Sequence, residues 1–323
     1  MGKDGRNFQK KHGNGGINLA CVYTLGADIG GTNLRLGIVS SEGETVSFER
    51  KASSVLHENA AKGLAEEING HIAKNGYTER ISAVAVGLPS LIDKNRSTVL
   101  STPNLKGFDK LPLKSELEKI LGIPVFIERD VNFLLQNDME KLGLKSEKTV
   151  LGFYVGTGFG NSIFMGGKFY TGSNGAAGEL GHIPILGSNM KCTCGNTGCI
   201  ETVCSGKALE ALAEEHFPHT NIKQVFKVHG NEPILKAFVY NLAVPIATEI
   251  NILDPDVCII GGGVIDMECF PKEILSDAVH FYTRKPYPEK SLRLLFTRHD
   301  QKSGVFGSGI FAQKQIMKRG KPE

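Results

Sequence analysis

Two hydrophobic periods alternate along this chain. Short apolar runs fall at residues 22–29, 34–39, 45–50, 81–87, 125–128, 151–155, 161–165 and 257–260, and they predict strands. The runs 81–87 and 257–260 carry no charge, which predicts strands buried on both faces of a sheet. Helical spacing governs 58–73, 115–121, 131–141, 206–216, 232–253, 274–282 and 305–317. In 232–253 the stripe is Leu235, Val239, Leu242, Ile246 and Ile250, with Pro245 inside it and expected to kink the helix. Gly122 ahead of Pro124 closes the helix at 115–121. Glu42-Gly43 suits a hairpin turn.

This order predicts a mixed α/β fold. Its two openings, 22–50 and 149–170, look alike: a strand, a turn containing Gly and Thr, and a second strand. That likeness predicts a duplicated nucleotide-binding architecture. Residues 171–201 show little periodicity and many glycines.

Composition narrows the class. The chain has 323 residues, enough for two domains, and is 41% hydrophobic and 22% charged, as in a soluble globular protein. A net charge of +3 is too weak to imply a nucleic-acid or membrane partner. Residues 1–20 read as a flexible leader, polar over 1–18 and without the apolar core of a signal peptide. No run of eighteen apolar residues follows, so no transmembrane helix is expected. Three of the seven cysteines crowd into Cys192–Cys199, which suggests metal binding in a reducing, cytoplasmic compartment.

Three glycine-rich turns follow strands. Asp28-Ile29-Gly30-Gly31-Thr32-Asn33 joins the first two strands; its glycines let backbone N–H groups approach a phosphate. Thr32 adds a hydroxyl, and Asp28 could hold Mg²⁺ through water. Gly156-Thr157-Gly158 repeats the arrangement in the second half. It is neither a Walker A motif nor a Rossmann fingerprint. Gly261-Gly262-Gly263 leaves a buried strand and offers a flat surface for adenosine. Each could also be an ordinary tight turn. Together they give an expected ATP site of Asp28, Gly30, Gly31, Thr32, Asn33, Gly156, Thr157, Gly158, Gly261, Gly262 and Gly263.

Cys192, Cys194 and Cys199 lie in a loop with Gly195 and Gly198, and His182 precedes them by ten residues. Four such ligands suit a closed tetrahedral Zn²⁺ site, structural rather than catalytic. Cys21, Cys204, Cys258 and Cys269 read as buried small hydrophobes. Glu128-Arg129-Asp130 sits where a strand ends and a helix begins, a usual place for functional side chains. Asp130 could be a helix N-cap or a carboxylate that accepts a hydroxyl proton. Glu179 and Glu201 flank the cysteine loop, either as surface charges or as acceptors for sugar hydroxyls.

These motifs together resemble the ROK (repressor, ORF, kinase) family of sugar kinases. The resemblance rests on Asp28-x-Gly-Gly-Thr-x-x-Arg35, on Gly178-Glu-Leu-Gly-His182, and on Cys192-x-Cys-Gly-x-x-Gly-Cys-x-Glu201, and runs from about 22 to 312. It implies the two-domain actin/hexokinase-like (ribonuclease H-like) fold with a zinc loop at 182–201. Residues 21–128 plus 300–323 would form the small domain and 129–299 the large one. Sugar and Mg-ATP would lie in the cleft between them. The resemblance implies that Asp130 is the general base for the 6-hydroxyl of an aldohexose. Glu179, His182 and Glu201 would contact the sugar, with Asn104 and Ser90 nearby. His182, Cys192, Cys194 and Cys199 would hold zinc, and the protein would be a homodimer.

Two departures stand out. The family tends to carry Asn-Asp where this chain has Arg129-Asp130, and Gly-x-Pro-Gly where it has Gly87-Leu88-Pro89-Ser90. The Arg129 segment, Ser101-Thr102-Pro103-Asn104-Leu105 and residues 178–184 look closest to allose kinases. The expected substrate is therefore D-allose, with Arg129 accommodating the inverted 3-hydroxyl. Glucose and N-acetylmannosamine are the alternatives within the family, and a non-catalytic sugar-responsive regulator is the alternative outside catalysis.

Overall fold

A computed structural model describes residues 23–56, 59–102, 105–144 and 149–319. In β1 (Tyr23–Ile29), Leu25, Ala27 and Ile29 join one apolar cluster, while the Thr24 hydroxyl points the other way and donates to the Gly309 carbonyl at 3.0 Å. β1 pairs antiparallel with β2 (Asn33–Val39), and β2 with β3 (Thr45–Ala52). Helix α1 (Ala60–Lys74) follows, capped by Asn59, whose side chain accepts the Lys62 N–H at 3.1 Å. β4 (Ile81–Leu88) runs parallel to β1. β5 (Leu91–Ile92) and β6 (Val99–Ser101) form a small hairpin. Helix α2 (Leu113–Leu121) ends at Gly122 in the left-handed conformation. β7 (Val125–Arg129) runs parallel to β4 and passes directly into α3 (Asp130–Lys141). The sheet order is β3-β2-β1-β4-β7, with α1 and α2 covering one face.

The second sheet repeats the first. β8 (Val150–Val155) pairs antiparallel with β9 (Phe159–Met165), and β9 with β10 (Lys168–Phe169). Helices α4 (Gly206–His216), α5 (Val225–His229) and α6 (Pro233–Leu253) precede β11 (Val257–Gly261), which is parallel to β8. Helix α7 (Lys272–Tyr282) and β12 (Leu294–Phe296) complete it, and β12 is parallel to β11. The order β10-β9-β8-β11-β12 has the same pattern of directions as the first sheet, so the expected duplication is present in the topology. Leu151, Phe153 and Val155 of β8 face the helices α4 to α7, while Val150 and Tyr154 face α3. Burial on both faces explains the unbroken apolar run.

Helix α6 continues through Pro245 and buries its stripe in the second core. It is long and apolar enough to cross a membrane, but 56% of its most apolar window is buried inside the fold, as in a core helix. The last helix, α8 (Ser303–Arg319), returns to the first sheet, where Gln313 Nε2 donates to the Ser40 carbonyl at 2.8 Å. α3 lies between the two sheets. Its Leu135 and Met139 pack on the second sheet, and its Phe133 packs with Ala83, Ala85 and α8. The helix that begins at Asp130 is thus held from both sides.

Cys204 and Cys258 are buried as expected. Cys269 is exposed, because the turn between β11 and α7 carries it outward at φ +61°. Cys21 lies outside the described residues.

Candidate active site

The C-terminal ends of the parallel strands β1, β4 and β7 open on one edge of the first sheet, as the ligand-binding ends of α/β sheets do. Asp28 stands at the end of β1 on the face covered by α8. The start of α8 comes so close that a Cβ on Gly304 would lie 2.8 Å from Asp28 Cγ. Burial raises the pKa of the Asp28 carboxyl, and Arg35, 2.9 Å away, works in the opposite sense. In the turn that follows, Gly30 N–H donates to the Asn33 carbonyl at 2.8 Å and the Ser53 hydroxyl to the Gly31 carbonyl at 2.8 Å. The Asn33 side chain accepts from Arg50 at 2.7 Å and donates to the Thr32 hydroxyl at 2.7 Å. Gly31 and Thr32 themselves are exposed.

Asp130 is the first residue of α3. The cap position belongs to Arg129, in extended conformation, so the N-cap reading of Asp130 is corrected by one residue. The Val131 N–H donates to Asp130 Oδ1 at 2.8 Å. Burial pushes the Asp130 carboxyl up to about 6; the negative charges of Asp28 and Glu179 add to this, and Arg129 opposes it. Three carboxylates named from the sequence therefore share one field, although they are far apart in the chain. Ser90 is buried, its Oγ 2.6 Å from Thr102 Oγ1. Asn104 lies outside the described residues.

Arg129 reaches across to the segment after β10. Its Nη1 donates to the Ala177 carbonyl at 2.7 Å, and its Nη2 lies 3.0 Å from Glu179 Oε1. Gly178 has φ +82°, and a Cβ there would meet the Asn161 carbonyl at 2.9 Å and Arg129 Nη1 at 3.1 Å, so glycine is required. The other Glu179 oxygen, Oε2, is 3.5 Å from His182 Nε2. His182 Nδ1 is 3.7 Å from Cys192 Sγ.

The ligand atoms of His182, Cys192, Cys194 and Cys199 all lie within 4.8 Å of one another. Cys194 and Cys199 sulfurs are 3.6 Å apart. A disulfide would need about 2.05 Å. A tetrahedron of ~2.3 Å metal–sulfur bonds has edges of about 3.8 Å, which this spacing fits. The donor set of three thiols and one imidazole suits zinc.

Glu201, at the end of this loop, is not a solvated surface charge. Its Oε2 accepts the Phe159 N–H at 2.8 Å and so ties the cysteine loop to the second glycine turn. The carbonyls of Gly156 and Thr157 in that turn accept the N–H groups of Gly206 (2.8 Å) and Lys207 (3.1 Å) at the start of α4. At Gly262, φ is +105° and a Cβ would lie 2.6 Å from the Val155 carbonyl, so β11 exits flush against the end of β8.

Two further charged groups, Arg96 half-buried and Asp138 buried, carry no signal strong enough to single them out in the sequence. Arg96, between β5 and β6, pairs with Glu128 at 3.1 Å. Asp138 of α3 accepts from Tyr154 Oη (2.9 Å) and Thr297 Oγ1 (3.0 Å) and lies 2.9 Å from His299 Nε2. The one available signal for Asp138 was a charged residue on the apolar face of a helix.

Residues 24–315 match the family model described as "ROK family". A glucokinase of Streptomyces coelicolor is 34% identical over 192 residues, a match spanning 59% of this chain and 59% of that enzyme. An N-acetyl-D-glucosamine kinase of Vibrio parahaemolyticus is 29% identical over 310 residues, spanning 88% of this chain and 98% of its own length. Among solved structures, a ROK family glucokinase from Streptomyces griseus in complex with glucose and AMPPNP matches with a TM-score of 0.73 at 26% identity, over 90% of this chain and 99% of that one.

Proposed function

The chain belongs to the ROK family, and on that premise we propose that it is a sugar kinase that transfers the γ-phosphoryl group of ATP to the 6-hydroxyl of an aldohexose, D-allose first among them. The observation that carries this reading is Asp130. It is a desolvated carboxylate at the start of a helix clamped by both sheets, with its proton affinity pushed up to about 6. Such a group is ionised at neutral pH and still basic enough to take a hydroxyl proton. The Val131 N–H holds Oδ1, which leaves Oδ2 for that proton.

The remaining roles are assigned as the family resemblance implies them. The two glycine turns would supply backbone N–H groups to the phosphates, and Gly261, Gly262 and Gly263 would form the floor for adenosine. Asp28 is the residue that would hold Mg²⁺ through water, where the ion would neutralise phosphate charge. Glu179, His182 and Glu201 would contact the sugar, as would Ser90; Asn104, assigned with them, lies outside the described residues. His182, Cys192, Cys194 and Cys199 would bind zinc, which fixes the loop and takes no part in the chemistry. Residues 21–128 with 300–323 would form the small domain and 129–299 the large one, with the substrates between them.

Arg129 in place of the family's Asn supports allose over glucose or N-acetylmannosamine, because it changes what holds Glu179, 3.0 Å away, on the proposed sugar side. Exposed Ile252, Phe281 and Tyr282 support a homodimer through the ends of α6 and α7. Those ends are joined by Asn251 Nδ2 donating to the Tyr282 carbonyl at 3.2 Å. The test is ADP release with Mg-ATP against D-allose, D-glucose, D-mannose, N-acetylglucosamine, N-acetylmannosamine and D-fructose. The highest kcat/KM for allose supports the whole reading. Another preferred sugar keeps the kinase and removes the allose assignment; no sugar-dependent release removes both.

A further inference from the structure

The segment 170–179, between β10 and the short helical turn at Leu180–His182, has no helix or strand of its own. Its backbone carbonyls have no regular ladder to pair with; the Thr171 carbonyl accepts the Ala177 N–H at 3.1 Å within the segment, and others turn to side chains. Three of them are met by two arginines. Arg96 Nη1 donates to the Gly175 carbonyl at 3.3 Å and to the Ile92 carbonyl at 3.1 Å. Arg129 donates to the carbonyls of Ala177 at 2.7 Å and Gly178 at 3.4 Å. Each guanidinium also holds a carboxylate: Arg96 lies 3.1 Å from Glu128, and Arg129 lies 3.0 Å from Glu179. Glu128 closes the circuit, because its Oε1 also accepts the Arg129 N–H at 2.8 Å.

We propose that Arg96 and Arg129 are a paired clamp that positions Glu179 for the sugar, so that sugar selection runs through the placement of Glu179 rather than through a direct contact from Arg129. This rests on the sugar-kinase reading above. A guanidinium has five donors and no acceptor, and most of the forked end of Arg129 is directed at protein oxygens. What remains variable is the carboxylate it holds. Among the described residues, Arg96 bonds to Ile92, Gly175 and Glu128 and to none assigned to the sugar, yet it braces the same segment. At Gly175 the contact is so close that a Cβ would lie 2.0 Å from the Ile92 carbonyl. The clamp therefore ties the β5–β6 hairpin of the first half to the segment that carries Glu179 in the second. Lysine cannot replace either arginine in full, since a single ammonium lacks the fork that reaches a carbonyl and a carboxylate together.

The experiment compares Arg96→Met, Arg96→Lys, Glu179→Gln and the double variant Arg96→Met/Glu179→Gln. Steady-state kinetics, thermal melting and hydrogen exchange over 170–179 are measured for each. For Arg96→Met we expect KM for the sugar to rise by about tenfold while KM for ATP stays within about twofold, as for loss of one positioning contact. Arg96→Lys should recover part of that loss. Exchange should quicken in 170–179 and not in α6. The double variant should be little worse than Glu179→Gln alone, because the two residues act through one contact. Additive effects, equal rises in both KM values, or unchanged exchange in the segment would overturn the clamp. If the wild-type protein turned over no sugar, the kinase reading would fall, and the exchange measurement would still decide whether Arg96 holds the segment.

Discussion

Glu179 Oε2 lies 3.5 Å from His182 Nε2, while the other nitrogen of the same ring points at the cysteine cluster. One imidazole thus joins the carboxylate proposed to contact the sugar to the zinc site proposed above. This is the arrangement by which a carboxylate orients a metal-bound histidine. Loss of the metal frees the ring and, with it, one of the two partners of Glu179. Stripping zinc with a chelator, or the substitution Cys194→Ser, should raise KM for the sugar by roughly 10-fold to 100-fold. KM for ATP should change far less. Metal analysis together with the two KM values checks this, and an equal loss for both substrates would contradict it.

If Asp130 is the base proposed above, it sets the acid limb of the pH profile. Its proton affinity is raised, to about 6, mainly by burial. The ionised form is the one that accepts a proton, so activity is full above this value and is lost as pH falls through it. Below about pH 6, kcat/KM should fall by about tenfold per unit. A profile between pH 5 and 9 tests this. A profile still flat at pH 5 would mean that another group is the base.

Gly178 precedes Glu179 in a backbone conformation that side chains rarely adopt. Gly178→Ala adds strain of about 1–3 kcal/mol and presses on the Asn161 carbonyl and on Arg129. A shift of the loop that relieves this would carry Glu179, the next residue, with it. The expected result is a raised KM for the sugar with a small change in Tm, read from kinetics and a melting curve on one preparation.

Much of this site was legible because it is local. The glycine turns, the cysteine spacing and the alternation in β1 and β8 each occupy one short stretch, and the duplicated opening reappears as two sheets of one topology. The rest was hidden by distance along the chain. Nothing near Arg96 points to Gly175, and nothing near Glu201 points to the Phe159 N–H that it accepts. Arg129 is the sharper case. Its residue type suggested a contact with the sugar, but the fold turns its fork toward Ala177, Gly178 and Glu179. Periodicity also says little about turns, and so Cys269 emerged exposed where a buried cysteine was expected.

Glu249 offers a test of stability apart from chemistry. It is buried within α6, accepts Asn161 Nδ2 at 2.6 Å, and burial pushes its carboxyl up to about 7. A folded-state value above the unfolded one means that its contribution is present at low pH and is lost as pH rises through about 7. Glu249→Gln removes the charge and keeps an acceptor for Asn161. Its Tm should match the wild type near pH 5 and exceed it at pH 8, by on the order of 3 kcal/mol in stability at most. Denaturant unfolding at the two pH values measures the difference, and a variant less stable at pH 8 would contradict the assignment.

The most direct test of the central claim is Asp130→Asn, followed by sugar binding in a calorimeter and by transfer of labelled phosphate from ATP to the sugar. The expected variant is folded, binds sugar nearly as the wild type does and loses about 100-fold or more of kcat, the contribution typical of a positioned base. A variant that binds sugar and still transfers phosphate at the wild-type rate would show that Asp130 is not the base.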